Sequence, residues 1–148
     1  MKNVLALIAC ITALSFTTWQ PDFNKARQLA KEKHQLILLN FSGSDWCGPC
    51  IMMKNKIFAS PVFSEMADSN LVLVNADFPR KKKNQLSKET TDQNDDLAEQ
   101  YNPSGKFPFT LLLDENGKVL RTWDGLPDES AEKFTQSIQT IIDARPQR

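Results

Sequence analysis

The chain has 148 residues, of which 41% are hydrophobic and 24% are charged, a composition that suits one globular domain with a single core. Its 18 basic side chains balance its 18 acidic ones, so the net formal charge at pH 7 is zero. A chain without net charge has no overall field that draws it to nucleic acid or to anionic lipid. We therefore expect no nucleic-acid partner.

The N-terminal segment is apolar and nearly free of charge. Lys2 precedes an apolar stretch over residues 4–16, which is shorter than the ~20 apolar residues of a membrane-spanning helix. This pattern predicts a signal peptide over residues 1–18 and an extracytoplasmic, periplasmic mature protein. The alternative is a membrane anchor formed by the uncleaved segment. Cleavage would remove Cys10 and leave two cysteines in the mature chain.

Helical and strand patterns alternate after this segment. A continuous apolar run bounded by polar residues is typical of a strand that is buried on both faces of a partly parallel sheet. Apolar residues at helical spacing predict the helices, and a serine followed by a proline predicts a break. The elements predicted up to residue 78 are a helix over 23–33, a strand over 35–41, a helix over 48–58, a helical piece ending at 68, and a strand over 71–78.

The segment over residues 79–96 is strongly polar. It contains one aliphatic residue, Leu86, and its basic residues 80–83 (Arg-Lys-Lys-Lys, here called the basic run) give way to acidic ones. This composition predicts a solvated loop or insertion, with the basic run exposed.

The rest of the chain again reads as alternating elements. They are a short helix over 96–102, a strand over 109–114, a tight turn over 115–118, a strand over 119–123, and an amphipathic helix over 127–144. The fold class predicted from this order is α/β, with one domain over residues 22–148.

Two of the three cysteines stand in the stretch WCGPC, residues 46–50, directly after a predicted buried strand. Cys47 would begin the next helix, where unpaired N–H groups and the helix dipole stabilise a thiolate and lower a cysteine pKa to about 3.5–7.5. Cys47 is therefore the candidate nucleophile. Cys50, one turn on and expected further inside, is the candidate resolving thiol. Gly48 permits close approach of a substrate, and Pro49 suits the first helical turn.

Two other interpretations of the cysteine pair remain open. A structural disulfide is one, although a loop of two residues constrains little chain entropy. A zinc site is the other, although tetrahedral zinc takes four ligands and the mature chain adds only His34, which we expect at the surface or at a helix end. We therefore predict a redox-active Cys47–Cys50 disulfide, with no metal and no other cofactor.

The WCGPC motif after a buried strand, together with FPFTLLLDENGKVLRTWDG about sixty residues later, resembles the thioredoxin superfamily. The resemblance covers nearly the whole mature chain. It implies a thioredoxin-like fold, in which helices flank a central mixed sheet and the CxxC begins a helix. It also implies a cis Phe107-Pro108 bond opposite Cys47, beside which substrate backbone pairs, and Trp46 as an apolar docking surface. An ordinary edge-strand proline is the alternative for Pro108, and simple packing is the alternative for Trp46.

The sequence departs from cytoplasmic thioredoxins in three features. The position that resembles their buried acid holds Asn40, which cannot accept a proton from Cys50. Asp45 is the nearest carboxylate in sequence, and we expect it at the surface. The polar segment over 79–96 and the export signal are the other two features. Together they resemble extracytoplasmic thioredoxin-like proteins of bacteria.

The resemblance implies a thiol-disulfide oxidoreductase that exchanges disulfides with thiols of exported proteins. The Gly-Pro dipeptide between the cysteines resembles that of reducing members, and a reductase outside the cytoplasm needs an electron donor, which we expect in the membrane. We expect a monomer. The alternative function is a binding module that keeps the fold and holds a protein partner without turnover.

Overall fold

The structure, a computed structural model, describes residues 18–146, and these form a five-stranded sheet with helices on both faces. The strands are β1 (Trp19–Gln20), β2 (Leu36–Ser42), β3 (Leu71–Asp77), β4 (Phe109–Leu113) and β5 (Val119–Asp124). The helices are α1 (Phe23–Lys33), α2 (Gly48–Met53), α3 (Pro61–Asn70), α4 (Lys88–Tyr101) and α5 (Ala131–Asp143).

The strand order is β1-β3-β2-β4-β5. Strand β3 is parallel to β1 and β2, whereas β4 is antiparallel to β2 and β5. The predicted mixed α/β architecture is confirmed.

Strand β2 lies at the centre of the sheet and is buried along its whole length. Because successive side chains of a strand point to opposite faces, its apolar residues divide between two cores. Leu36 and Leu38 pack with side chains of α2, α3 and α5, whereas Ile37 and Leu39 pack with side chains of α1 and α4. The continuous apolar run is explained by burial on both faces, as predicted.

The helix boundaries follow local capping signals. The Asp22 side chain accepts the Lys25 N–H at 2.9 Å at the start of α1. His34 ends α1 with φ 55°, so its predicted place at a helix end is confirmed. The predicted helix over 48–58 consists of α2 and a π-helical turn over Lys54–Phe58. Ser60 then accepts the Phe63 N–H at 3.3 Å and starts α3, which confirms the predicted break.

The predicted loop over residues 79–96 is wrong in its second half. Helix α4 begins at Lys88, with the Ser87 hydroxyl accepting the Thr90 N–H at 3.2 Å. The buried residues of α4 are Asn94 and Leu97, too few to give an apolar period. The predicted helix over 96–102 is therefore the last part of a longer helix. The two-residue strand β1 was not predicted, because so short a strand has no alternating pattern.

Residues 1–17 and 147–148 lie outside the described residues. The predicted signal peptide over 1–18 falls, except for Thr18, in this part of the chain. Within residues 18–146, no helix has the length and apolar character needed to cross a bilayer.

Phe134 of α5 is fully buried against the rings of Phe58, Phe63 and Trp123. A substitution at this position therefore tests the packing of the core. We predict that Phe134→Ala lowers the free energy of unfolding by about 3–5 kcal/mol, since it removes these contacts and leaves a cavity. Guanidinium denaturation followed by circular dichroism measures the loss. The control is Leu120→Ala at an exposed position of β5, for which we expect a change within about 0.5 kcal/mol. Equal losses in the two variants would contradict the placement of Phe134.

Candidate active site at the WCGPC motif

The backbone of the motif is fixed where β2 passes into α2. The Cys47 N–H donates to the Gly43 carbonyl at 2.9 Å, and the Cys47 carbonyl accepts the Ile51 N–H at 3.1 Å. Cys47 caps α2, and its Sγ accepts the Cys50 N–H at 3.3 Å. Pro49 lies in the first turn of the helix, as predicted. The chain thus presents Cys47 to the N–H groups at the start of a helix.

Cys47 and Cys50 form a disulfide, with their Cα atoms 5.2 Å apart. Their exposed fractions are 5% and 4%. The exposed fractions do not distinguish the two cysteines in this oxidised form, so the expectation that Cys50 lies further inside stays a prediction. Gly48 and Pro49, which stand between them, are exposed.

Trp46 is held in place by three neighbours. Its indole N–H donates to the Phe78 carbonyl at 2.7 Å, and its ring meets Phe107 edge-on at a centroid distance of 5.4 Å. Gly43 lies under the ring, where a Cβ would come within 2.2 Å of the indole. Gly43 was not singled out from the sequence, because its close approach to Trp46 depends on how the turn folds.

The Phe107-Pro108 peptide bond is cis, which confirms the prediction from the resemblance. Pro108 directly precedes β4, and Phe109 of β4 pairs with Phe41 near the end of β2 that leads into the motif. Because β4 lies between β2 and β5, the alternative of an edge-strand proline is wrong. The structure therefore brings Phe107 and Pro108 to the same end of the sheet as Trp46.

Asn40 lies in a buried polar network. Its amide NH₂ donates to Asn75 Oδ1 at 2.7 Å, and its Oδ1 accepts the Thr110 hydroxyl at 2.8 Å. A cavity of about 430 Å³, here called the Cys50 cavity, is lined by Asn40, Asn75, Ser42 and Cys50 among others. Amide and hydroxyl groups thus surround Asn40, which stands at the position that resembles the buried acid of cytoplasmic thioredoxins.

Asp77 is the carboxylate of this network and was missed from the sequence. It accepts the Ser42 hydroxyl at 3.1 Å, the Ser44 N–H at 2.8 Å and the Ser44 hydroxyl at 2.6 Å. Little in the sequence indicates this role, because Asp77 lies at the end of β3, far along the chain from the motif. The parallel pairing of β3 with β2 brings it beside the motif.

Asp45 anchors the segment that follows β3. Its carboxylate accepts the backbone N–H groups of Arg80 and Lys81 and the side-chain amide of Asn84, each at 2.9 Å. The Arg80 N–H is the main cause that lowers the pKa of Asp45 from 3.8 to about 2. Asp45 therefore stays ionised at neutral pH and holds the loop, a role that its expected place at the surface did not indicate.

Arg80 covers the outer face of Trp46. Its guanidinium carbon lies 3.8 Å from the indole centroid, a cation–π contact. All four residues of the basic run are exposed, as predicted, although the main chain of Arg80 and Lys81 is bound to Asp45 of the motif's turn. Sequence reasoning missed this contact, because nothing in the local pattern pairs Arg80 with a distant tryptophan.

The sequence of this chain matches a known protein family over the region that contains the motif. The sequence model of a family described as thioredoxin-like matches residues 18–114, a range that includes the WCGPC motif and Pro108. The chain belongs to the thioredoxin-like family. Within residues 18–146, no group of three or more His, Cys, Asp or Glu side chains is placed to hold a metal ion.

The chain is also similar to individual proteins, to two of them in sequence and to a solved structure in fold. The chain is 37% identical over 102 residues to the disulfide bond reductase DsbH of Chlamydia pneumoniae, a match that covers 69% of this chain and 59% of that protein. It is 25% identical over 126 residues to the thioredoxin-related protein DsbJ of the same organism, a match over 85% of this chain and 35% of that protein. A solved structure of a DsbH oxidoreductase has a TM-score of 0.80 and 29% identity, and the match covers 98% of this chain and 96% of that one.

The pKa of Asp45 leads to a prediction about the loop. Because the folded pKa, about 2, lies below the ordinary 3.8, the stabilisation by Asp45 is present above about pH 4 and is lost as the pH falls through 2. We predict that the NMR amide signals of Arg80 and Lys81 titrate with a midpoint near pH 2. We also predict that Asp45→Asn abolishes this titration and speeds exchange of both amides with solvent.

The matched control for this prediction is Glu65→Gln, which removes an exposed carboxylate of α3. It should leave the signals and exchange rates of both amides unchanged. Titration midpoints near 3.8, or unchanged exchange in Asp45→Asn, would contradict the anchoring role of Asp45.

Proposed function

We propose that this protein is a thiol-disulfide oxidoreductase that reduces disulfides of exported proteins through Cys47 and Cys50. The observation that carries the proposal is the Cys47–Cys50 disulfide at the start of α2, with the Cys50 N–H directed at Cys47 Sγ. The same N–H would donate to a Cys47 thiolate after reduction and so favour the reactive form. The similarity to a protein named disulfide bond reductase supports the reducing direction.

The reaction takes place in two exchange steps. The Cys47 thiolate attacks one sulfur of the client disulfide, forms a mixed disulfide and releases the first client thiolate, which takes up a proton. Cys50 then loses its proton and attacks Cys47 Sγ, which releases the second client thiolate. Two electrons pass to the client, and the protein is left with the Cys47–Cys50 disulfide.

The proton of Cys50 leaves through the Cys50 cavity. Asn40 cannot accept it, Asp45 is engaged by N–H groups of the loop after β3, and Asp77 already accepts three hydrogen bonds from Ser42 and Ser44. The cavity, of about 430 Å³, brings Cys50 together with hydroxyl and amide groups and is large enough for water. Water is therefore the proposed acceptor in place of a buried acid.

The client segment lies across the surface beside the disulfide. Gly48 and Pro49 are exposed there, and Trp46, which directly precedes Cys47, meets the ring of Phe107 edge-on. Pro108 stands at the head of β4 at the same end of the sheet. These residues are the proposed substrate-binding groups.

Each catalytic cycle consumes two electrons, so the protein needs a donor that reduces the Cys47–Cys50 disulfide again. The predicted signal peptide over residues 1–18 supports an extracytoplasmic, periplasmic location, with a membrane protein as donor. The protein acts as a monomer on this proposal. A membrane anchor formed by the uncleaved segment would place the same domain at the membrane surface.

Insulin reduction tests the activity. We predict that the mature protein accelerates the reduction of insulin by dithiothreitol, followed as turbidity, and that Cys47→Ser lowers the rate to that of dithiothreitol alone. Leu120→Ala, at the exposed far end of β5, is the control and should keep the wild-type rate. A wild-type rate no higher than that of dithiothreitol alone would contradict the proposal and favour a binding module.

Trapping experiments test the separate roles of the two cysteines. We predict that reduced Cys50→Ser accumulates a mixed disulfide with oxidised insulin, because Cys47 attacks but the resolving thiol is missing. Reduced Cys47→Ser should accumulate little. Non-reducing gels and mass spectrometry identify the linked sulfur. Trapping through Cys50 in the Cys47→Ser protein, with none through Cys47, would reverse the assignment.

A further inference from the structure

A second cavity lies on the other side of Trp46, between the motif and the start of α4. Its volume is about 550 Å³, and it is here called the side cavity. Trp46 and Phe107 form the wall next to the motif, and Leu86 and Thr91 contribute to the wall formed by the polar segment and α4. Because Trp46 directly precedes Cys47, a polypeptide joined to Cys47 has neighbouring residues within reach of this cavity.

A positive charge is fixed at the edge of the side cavity. The Arg80 guanidinium lies 3.8 Å above the Trp46 ring, and Arg80 lines the cavity. Asp45 holds the Arg80 backbone through its N–H, so the cation is positioned before any ligand arrives. A planar guanidinium that is stacked on an aromatic ring still presents N–H groups to a carboxylate.

The charge of the basic run is not neutralised by side-chain ion pairs. The ion pairs formed within residues 18–146 are Lys88–Asp92, Lys106–Asp124 and Arg145–Glu115, and they leave out residues 80–83. Asp77 also lines the side cavity, and its carboxylate accepts three hydrogen bonds from Ser42 and Ser44 and forms no ion pair with the basic run.

Acidic residues also occur on α4, which forms one wall of the cavity. They are Glu89, Asp92, Asp95, Asp96 and Glu99. The α4 residues that line the cavity are instead the uncharged Thr91 and Asn94. Arg80, stacked on Trp46, is therefore the cationic side chain of the cavity lining, and Asp77, bound to Ser42 and Ser44, is the acidic one.

We propose that the side cavity and the basic run dock an acidic segment of the client polypeptide, close in sequence to the cysteine that Cys47 attacks. This inference rests on the proposed function and adds a substrate class to it. Arg80 binds a client carboxylate, and the exposed lysines at 81–83 attract the acidic segment and raise the rate of encounter. Trp46, Phe107 and Leu86 accommodate the apolar parts of the segment.

The test uses three peptides, each with one internal disulfide, that differ in three residues beside a cysteine. In the acidic peptide these residues are Asp and Glu, in the neutral peptide they are Asn and Gln, and in the basic peptide they are Lys. The measured quantity is kcat/KM for reduction at low ionic strength, with dithiothreitol as donor. We expect kcat/KM to be about tenfold higher for the acidic peptide than for the basic one, with the neutral peptide between them, and we expect added salt to narrow the difference.

Variants of the protein test whether Arg80 and the lysines at 81–83 cause the preference for the acidic peptide. We expect the acidic-to-basic ratio of kcat/KM to fall towards one in Arg80→Gln and in the triple variant Lys81→Ser, Lys82→Ser, Lys83→Ser, and Arg80→Lys to retain part of it. The matched control is the triple variant Lys31→Ser, Lys33→Ser, Lys118→Ser, which removes the same charge at the opposite end of β2 and should keep the wild-type ratio. Equal kcat/KM for all three peptides, or loss of the ratio in the control as well, would overturn the proposal.

A binding measurement keeps the inference separate from the redox activity. Cysteine-free versions of the acidic and basic peptides are added to the oxidised protein, and the Trp46 indole and Arg80 amide signals are followed by NMR. Saturable shifts with the acidic peptide alone support the docking site, even if no peptide is reduced and the proposed function fails. Absence of shifts with the acidic peptide overturns the docking site, even if all peptides are reduced.

Discussion

The burial of β2 on both faces is the constraint on which the rest of the structure depends. A strand with apolar side chains on each face must lie inside the sheet, so β3 and β4 pair on its two sides and helices cover both faces. The chain therefore reaches the surface only beyond the ends of this strand, at His34 before it and at Ser44 after it. The WCGPC motif follows within a few residues, so the core determines where Cys47 stands.

The turn between β2 and Cys47 is fixed by the segment that follows the neighbouring strand. Three consecutive side chains of the turn each bond to residues at or just after the end of β3: Ser44 to Asp77, Asp45 to the N–H groups of Arg80 and Lys81, and Trp46 to the Phe78 carbonyl. Parallel pairing of β2 and β3 places the two chain segments side by side. The polar segment after β3 is thus part of the site's architecture, and a change in it would move Trp46.

Elements with a regular apolar pattern could be predicted from the sequence. Strands β2, β3 and β4 and helices α1 and α5 were found in this way, and the motif itself marked Cys47 and Cys50. The first half of α4 could not be found, because it faces the protein mainly through Asn94 and its remaining residues are polar. Gly43, Asp77 and Arg80 were missed for another reason. The side-chain partners of Asp77 and Arg80 lie far away in sequence, and the close approach of Gly43 to Trp46 depends on how the turn folds, so none of these contacts leaves a local pattern.

The groups to which Asp45 bonds determine whether the Arg80 guanidinium stays available beside the motif. If its carboxylate paired with the Arg80 guanidinium, the ion pair would fix the loop and cancel the nearest positive charge. Instead it accepts the main-chain N–H groups of Arg80 and Lys81, which carry no net charge. The loop is thus fixed through its main chain, whereas the guanidinium stacks on Trp46 and lines the side cavity. The carboxylates of Asp45 and Asp77 therefore accept N–H and O–H groups and form no ion pair with the basic run, which leaves the Arg80 guanidinium available to a carboxylate of the client.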